Sequence, residues 1–235
     1  MISIIIPLFN QAGKISRTFD SIIGQDEKQL EVIVVNDGSS DNASEVCGME
    51  AAKFAKAGIG FKFIEQKENK GAPAARNRGL AEANGDFLFF CDADSFLEPS
   101  ALTKLKNTLL EHPEASYAYS SFMWGNKLFK VGAFDQERLK KGPMIHTMAL
   151  IRATAMTPKK WDESIRKLQD WDLWLTMLEE GKNGVWVDEV LFSIQPGGVY
   201  SNWVPSFVYK LLPWLPVVKK YNKALAIVKA KHKLA

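Results

Sequence analysis

The stretch that decides the fold is Glu31-Val32-Ile33-Val34-Val35-Asn36-Asp37, an apolar run that stops at two polar residues. A short run rich in β-branched residues and bounded by turn residues predicts a strand covered on both faces, as in a parallel sheet. A second such run, Ile2–Ile6, precedes it, and the segment between them carries Ile15, Phe19 and Ile22 at helical spacing. The order strand, helix, strand predicts a βαβ unit.

Helical and strand-like segments continue to alternate after residue 41. They are a helix near Ala43–Lys56, a strand at Phe61–Ile64, a helix at Ala74–Ala83 and a strand at Phe87–Cys91. The alternation predicts an α/β fold of the Rossmann-like, nucleotide-binding type, with a mostly parallel mixed sheet. No glycine-rich dinucleotide or P-loop fingerprint follows any of these strands, which argues against a dinucleotide-binding enzyme and against a P-loop NTPase.

The composition is that of one globular domain, alone or with an appendage. The chain has 235 residues, of which 46% are hydrophobic and 24% charged. It opens on a predicted strand without the pattern of a signal peptide. Cys47 and Cys91 lie far apart, so the sequence predicts neither a disulfide framework nor a zinc site. We therefore expect a cytoplasmic protein.

The net charge of +3 is unevenly distributed, because residues 190–235 contain seven Lys and no Asp or Glu. A segment rich in Phe, Tyr and Trp precedes most of these lysines and is too short and too rich in proline to span a bilayer. We expect residues 1–198 to form the nucleotide-binding domain and residues 199–235 a helical tail on the cytoplasmic face of an anionic membrane. The alternative is a tail helix packed on the domain or at a dimer interface.

Two carboxylates, Asp92 and Asp94, follow the apolar run Phe87–Cys91 with one residue between them. Ligands of open α/β sheets bind outside the carboxyl ends of the strands. Hard divalent cations such as Mg²⁺ and Mn²⁺ bind carboxylate oxygens together with substrate phosphates. The pair therefore predicts a metal held against a diphosphate. The alternative is a polar turn in which Ser95 caps the next helix.

Two further groups of polar residues suit a nucleotide. Asp37 ends a predicted strand, where a carboxylate can accept hydrogen bonds from a nucleobase or ribose; the alternative is an ordinary turn. Arg76 and Arg78 fall at the predicted start of a helix, where positive charge opposes the helix dipole and a nearby anion would relieve the conflict. The alternative for this pair is a solvated surface position.

Several separated motifs recur together in the order that is typical of one family. They are Ser3–Asn10, Asp20–Gln25, Glu31–Ser39, Ala75–Gly79, Gly85–Phe87 and Asp92–Asp94. In this order they resemble the inverting family 2 glycosyltransferases, which have the GT-A fold, and the similarity runs from Ile2 to about Gly198. The resemblance implies a glycosyltransferase whose donor is a nucleoside-diphosphate sugar and whose acceptor is a glycan or lipid-linked hydroxyl. No nucleic acid is expected as a partner, and the oligomeric state is not predicted.

The resemblance implies roles for individual residues. The loop of Pro7, Phe9 and Asn10 and the carboxylate of Asp37 would hold the nucleoside, and Arg76 would position the nucleotide. Asp92 would contact the nucleotide or its metal. Asp94 would be the main ligand of Mn²⁺ or Mg²⁺.

Asp170 is the residue that we expect to act as catalytic base. The segments Trp161–Glu163 and Gln169–Leu175 are similar to the family's conserved carboxyl-terminal motifs, and Asp170 falls where such enzymes carry the base. It also begins a helical face with Leu173, Trp174 and Met177, and an Asp on an inward face can have a raised pKa. The alternative is a helix N-cap, a position that Asp172 suits equally.

Two departures from the family pattern leave other functions open. Where the family has Arg and His after its last core strand, this chain has Ser193 and Gln195, and the Glu before the base is Gln169. A catalytically silent nucleotide-sugar-binding protein is therefore one alternative. A haloacid-dehalogenase-like phosphatase is another, although its Asp-x-Asp motif lies on an earlier strand. His112, His146 and His232 show no ligand spacing and are expected to be ordinary surface or core residues.

Overall fold

The structure, a computed structural model, describes residues 1–197, 212 and 214–234. Its first half alternates strands and helices in the predicted order. The elements are β1 (Ile2–Leu8), α1 (Ala12–Ile23), β2 (Leu30–Asn36), α2 (Ala43–Lys56), β3 (Gly60–Glu65), α3 (Ala72–Leu80) and β4 (Phe87–Phe90). Strand β1 pairs in parallel with β2 and with β4, and β2 pairs in parallel with β3. The predicted α/β arrangement is confirmed.

The second half adds strands that run in both directions. Its elements are β5 (Ser95–Leu97), α4 (Ala101–Glu111), β6 (Tyr117–Trp124), β7 (Lys127–Phe129), α5 (Gln136–Lys141), β8 (Leu150–Arg152), α6 (Gln169–Glu179) and β9 (Gly184–Ile194). The sheet has the order β3-β2-β1-β4-β8-β6-β9-β5, with β7 paired to β6. Strand β8 runs antiparallel to β4 and β6, whereas β6 and β9 are parallel. Most paired residues lie in parallel ladders, as predicted.

Helix α3 lies unusually close to the sheet. Its Ala75 packs with Ile33 and Val35 of β2, while α1 and α2 cover the opposite face. A Cβ atom added at Gly79 would lie 2.5 Å from the Cγ2 atom of Ile5. Only glycine therefore fits at this contact without a shift, and the small residues of α3 let the helix approach the sheet closely. The close packing fixes α3 beside the ends of β1 and β2.

Helix α6 is anchored by two buried tryptophans. The indole N–H of Trp171 donates to the Leu139 carbonyl at 2.6 Å, and that of Trp174 donates to the Ile145 carbonyl at 3.1 Å. The ring of Trp174 lies 4.5 Å from that of Tyr117, between centroids. Burial and satisfied N–H groups together make such residues strong anchors. They fix the start of α6 against α5 and the segment that follows it.

A last helix, α7 (Pro216–Lys231), confirms the predicted helical tail for its own residues. Val218 and Val228 are buried, and Lys231 and His232 contact Asp172 of α6. This part of the tail packs on the domain. The aromatic residues of 199–211, on which the membrane prediction chiefly depends, lie outside the described residues. Within residues 1–197 and 214–234, no helix has the length and apolar character needed to cross a bilayer.

Candidate active site

A cleft opens where β1, β2 and β4 end, at the carboxyl edge of the parallel strands. The predicted residues that line it are Pro7, Phe9, Asp37, Arg76, Asp92 and Asp94, and Gln11, Trp124, His146 and Gln169 complete much of its wall. Carboxyl ends of parallel strands meet at one edge of a sheet, so these distant residues converge. Two predicted residues, Asn10 and Asp170, lie next to lining residues in the chain but do not themselves line the cleft.

Asp92 and Asp94 occupy the tight turn between β4 and β5. The Asp92 carboxylate accepts a hydrogen bond from Arg76 Nη2 at 3.2 Å, and the Asp94 carboxylate accepts one from Gln11 Nε2 at 3.1 Å. Ser95 begins β5, and its hydroxyl donates to the Asp92 carbonyl at 2.6 Å. The alternative of a polar turn is wrong about Ser95, because its hydroxyl bonds within the turn and does not cap a helix.

The two carboxylates differ in their electrostatic setting. Asp94 is the more enclosed, with 8% of its side chain exposed against 26% for Asp92. Burial, together with repulsion from Asp92, raises the pKa of Asp94 to about 6. A positive charge added at this turn would offset both effects and favour the ionised form of Asp94.

Arg76 is buried and connects the two halves of the site. Its Nη1 donates to Gln169 Oε1 at 2.7 Å, its Nη2 reaches Asp92, and its guanidinium carbon lies 4.6 Å from the centroid of the Trp161 ring. The prediction that Arg76 and Arg78 lie at the start of a helix is wrong, because Arg76 lies in the middle of α3 and Arg78 in its last turn. Arg78 is exposed and pairs with Glu82, so the solvated alternative holds for Arg78 alone.

Asp37 and Asn10 organise the loops around the cleft. The buried Asp37 carboxylate accepts hydrogen bonds from the backbone N–H groups of Lys70 and Gly71, both at 2.8 Å. Asn10, at a positive φ of 51°, accepts one from the Ser40 N–H at 2.8 Å. Asp37 therefore stabilises the backbone turn that precedes α3 and also lines the cleft. Asn10 ties the loop after β1 to the loop after β2.

Asp170 and Gln169 begin α6 at the far side of the cleft. Burial raises the pKa of Asp170, while the charges of His146, when its ring is protonated, and of Arg76 oppose the rise. Its carboxylate accepts a hydrogen bond from the Trp171 N–H at 2.9 Å. The helix already begins at Gln169, after an N-cap at Leu168, so neither Asp170 nor Asp172 is the N-cap. Gln169, which accepts a hydrogen bond from Arg76, lines the cleft, whereas Asp170 lies next to it in the chain.

His146 lines the cleft, although the sequence predicts an ordinary surface or core residue. Its Nε2 faces Asp92 Oδ2 at 3.6 Å, and its Nδ1 accepts the Met148 N–H at 3.2 Å. Burial lowers its pKa, so the neutral ring is favoured. With Nδ1 accepting, the neutral ring carries its proton on Nε2, which suits hydrogen bonding to Asp92 better than metal ligation. No spacing signal marked this residue, because packing of the segment before β8 brings it here.

The departures from the family pattern lie beside Asp94. Gln195 donates its backbone N–H to the Asp94 carbonyl at 3.0 Å, and Ser193 lies two residues earlier on β9, paired with Phe96 of β5. Position 195 therefore adjoins the carboxylate turn even though its side chain is not basic. The remaining histidines lie elsewhere: His112 is exposed beside Glu114, and His232 is buried under α7.

The donor set at the turn suits a hard divalent cation only in part. Among the described residues, no group of three or more His, Cys, Asp and Glu side chains is placed to hold a metal ion. Asp92 and Asp94 together offer carboxylate oxygens, and burial beside Asp92 raises the pKa of Asp94, an effect that a bound cation would oppose. Ions such as Mg²⁺ commonly take one or two carboxylates and complete their shell with phosphates and water. The pair fits that arrangement.

Comparison with known sequences gives consistent matches. The family model described as glycosyl transferase family 2 matches residues 3–164. The chain is 36% identical over 111 residues to glycosyltransferase GlyA of Streptococcus pneumoniae, covering 47% of this chain and 15% of that protein. It is 27% identical over 204 residues to the putative glycosyltransferase EpsE of Bacillus subtilis, covering 83% and 72%. The chain thus spans only a small part of GlyA and most of EpsE.

Comparison with solved structures extends the similarity over almost the whole chain. S. aureus TarS, residues 1–349 in complex with UDP-GlcNAc, superposes with a TM-score of 0.72 at 19% identity, covering 98% of this chain and 72% of that one. The mannosyltransferase PcManGT of Pyrobaculum calidifontis, in complex with GDP-Man and Mn²⁺, gives 0.68 at 17% identity, covering 97% and 75%. At these identities the likeness shows a shared fold, which is the predicted GT-A fold.

Proposed function

Because the chain belongs to glycosyl transferase family 2, we propose that it is an inverting glycosyltransferase that moves a sugar from a nucleoside-diphosphate sugar to an acceptor hydroxyl. The observation that carries the proposal is the convergence of Asp37, Arg76, Asp92 and Asp94 in one cleft at the carboxyl ends of the parallel strands. The acceptor is a glycan or a lipid-linked glycan, in polysaccharide or glycolipid assembly. The phosphatase alternative has no support in the family match.

The donor would lie across the ends of β1, β2 and β4. Pro7, Phe9 and Asp37 would contact the nucleoside, with Asn10 holding the loop that carries Pro7 and Phe9. Arg76 and Asp92 would lie on the side of the phosphates. TarS binds UDP-GlcNAc and PcManGT binds GDP-Man, so nucleotide sugars with either base suit this fold.

Asp94 and Asp92 would hold Mn²⁺ or Mg²⁺. A divalent cation bound there supplies the positive charge that stabilises the departing diphosphate. The raised pKa of Asp94 supports this assignment, since burial and the neighbouring Asp92 raise it and Lys14, at 4.0 Å, only partly offsets them. The Mn²⁺ in the PcManGT complex is consistent with divalent metal use in this fold. Arg76 balances the charge of Asp92 from the protein side.

Asp170 would act as general base. It accepts the proton of the acceptor hydroxyl as that oxygen forms a bond to the anomeric carbon, and the bond from this carbon to the diphosphate oxygen breaks on the opposite face. One displacement by one base inverts the anomeric configuration. Burial raises the pKa of Asp170, which strengthens it as a base, and the fixed charge of Arg76 favours its ionised form. Its place at the head of the rigid α6 gives it a fixed position.

The test is a transfer and hydrolysis assay of the full chain with a panel of UDP- and GDP-sugars and Mn²⁺. Release of nucleoside diphosphate from at least one donor, lost when Mn²⁺ is chelated, is the expected result. Binding of a donor without release, even with acceptor glycans present, would support the catalytically silent alternative instead. Absence of both binding and release across the panel would contradict the whole proposal.

We also propose a cytoplasmic enzyme that attaches peripherally to an anionic membrane. Trp214 and Ile227 are exposed large apolar residues on the described part of the tail. Lys220, Lys223 and Arg166 lie with Ile227 around one shallow groove between α7 and the segment before α6. Lysines near an anionic surface contribute about 1 kcal/mol each. Exposed apolar side chains next to cations are typical of a surface that binds an anionic membrane.

Vesicle sedimentation of the full chain tests this attachment. Binding to vesicles with anionic lipid should weaken with salt, and the double charge reversal Lys220→Glu with Lys223→Glu should abolish it. Lys56→Glu, on α2, serves as the control. If the protein stays in the supernatant with anionic vesicles at low salt, the tail is a packing element only.

A further inference from the structure

A second cleft adjoins the first and shares Asp94 with it. Its walls come from α1, β5 and the end of β9, and they include Lys14, Arg17, Ser193 and Gln195. Among the described residues that line this second cleft, Asp94 is the sole acid, whereas α1 contributes two cations. This excess of positive charge borders Asp94, the carboxylate that the two clefts share. A site of this charge suits an anion next to Asp94.

The two cations of the second cleft are held differently. Lys14 Nζ lies 4.0 Å from Asp94 Oδ2 and 3.4 Å from the Pro196 carbonyl oxygen, and 23% of the side chain is exposed. Arg17, one helical turn later, places its guanidinium carbon 5.1 Å from the centroid of the Phe96 ring. Lys14 is therefore aimed at the carboxylate turn, while Arg17 is held on an aromatic ring away from it.

Lys14 has capacity for a further acceptor. Its distance to Asp94 exceeds that of a hydrogen bond, and the same carboxylate oxygen already accepts from Gln11 Nε2. An ammonium group has three N–H donors, and the Pro196 carbonyl takes one of them. A phosphate oxygen placed beside Asp94 would meet a partly desolvated ammonium with donors to spare. Position 195, at the rim of the same cleft, offers only a neutral Gln side chain.

We propose that Lys14 binds the distal phosphate of the donor's diphosphate from the second cleft. This role rests on the proposed function, because it needs a nucleoside diphosphate in the first cleft. It gives the site a fixed positive charge on the side of Asp94, as Arg76 does on the side of Asp92. A charge-assisted hydrogen bond of this kind changes affinity by about tenfold to hundredfold when removed.

Titration calorimetry with UDP, UMP, GDP and GMP tests the proposal on the full chain with Mn²⁺. Lys14→Met should weaken binding of the better diphosphate by about tenfold to hundredfold and leave the matching monophosphate within about threefold. Lys14→Arg keeps the charge and should bind nearly as the wild type does. Lys56→Met, on the remote α2, is the matched control, and melting curves show whether each variant is folded.

The outcomes separate the two proposals. If the wild type binds diphosphate and Lys14→Met binds it equally well, the role of Lys14 is wrong while the proposed function stands. Equal losses for diphosphate and monophosphate would also contradict it, because the effect would not lie at the distal phosphate. If the wild type binds no nucleotide of the panel, the proposed function fails, and the role of Lys14 fails with it.

Discussion

The junction between α6 and α7 predicts a pH-dependent stability that can be measured directly. His232 places Nε2 at 2.8 Å from Asp172 Oδ1 and Nδ1 at 2.7 Å from Glu179 Oε1. A neutral imidazole has one N–H, so only the protonated ring can donate to both carboxylates. Burial opposes the charge, but the two hydrogen bonds outweigh it, and the pKa of His232 is raised above its ordinary value.

The size of the effect follows from the exposure of the two partners. The Asp172 side chain is 4% exposed and that of Glu179 is 48% exposed, so the bond to Asp172 carries most of the stabilisation. A hydrogen bond between charged groups contributes about 1.5–3 kcal/mol. In a chain of this size that corresponds to roughly 3–12 °C in Tm. Lys231, at 2.8 Å from Asp172, keeps the carboxylate paired after His232 is removed.

The change is His232→Ala, measured by thermal unfolding across pH 5.5 to 9. The charged bond stabilises fully below the ordinary histidine pKa of about 6.5 and is lost as pH rises through the higher folded-state pKa. The loss in Tm should therefore be largest near pH 6 and shrink to about half by pH 9, where a neutral ring still donates once. Lys219→Ala, exposed on the same helix, is the control. A loss in Tm that is equal at both ends of the pH range would refute the reasoning.

Three substitutions test the site itself. Asp94→Ala should abolish Mn²⁺-dependent binding of nucleoside diphosphate, as followed by calorimetry, with little change in Tm because a repelled carboxylate is removed; unchanged affinity would exclude it as a metal ligand. Asp170→Asn should retain donor binding and lose transfer by about two to four orders of magnitude in a product assay; transfer within a few-fold of wild type would exclude it as base. Arg76→Lys leaves Asp92 or Gln169 without its donor and should lower the free energy of unfolding in urea by about 1–2 kcal/mol; no change would mean that solvent replaces the bridge.

The first half of the fold was predictable because its signals are local. The apolar runs of β1, β2 and β4 and the helical spacing of α1 lie within single segments, and the observed bounds of the three strands differ from the predicted runs by only one or two residues. Hydrophobic periodicity reports directly on such elements. The second half could not be predicted strand by strand, because β5, β7 and β8 have three residues each and owe their strand conformation to partners distant in the chain.

Some residues of the candidate site carry a local sequence signal, and others reach the cleft only through packing. Asp92 and Asp94 were found because they end a strand, and Arg76 because it belongs to a motif, although its place within α3 was predicted wrongly. His146 and Gln11 carry no pattern, and only packing brings them to the cleft. The double hydrogen bond of Asp37 to the start of α3 was also beyond reach of the sequence, since it depends on how the Lys70–Gly71 turn meets β2.

The two sides of the cleft are held by different kinds of structure. The positions of the carboxylates on the two sides therefore depend on different contacts. Asp92 and Asp94 follow directly from a central strand, so their placement is set by the sheet. Asp170 has no strand behind it; its position depends on α6, which Trp171 anchors to α5 and Asp172 anchors to α7. A base must lie within hydrogen-bond reach of the hydroxyl that it deprotonates. Loosening the α7 contact should therefore lower the transfer rate while leaving nucleotide affinity unchanged, since no residue of α7 lines the donor cleft.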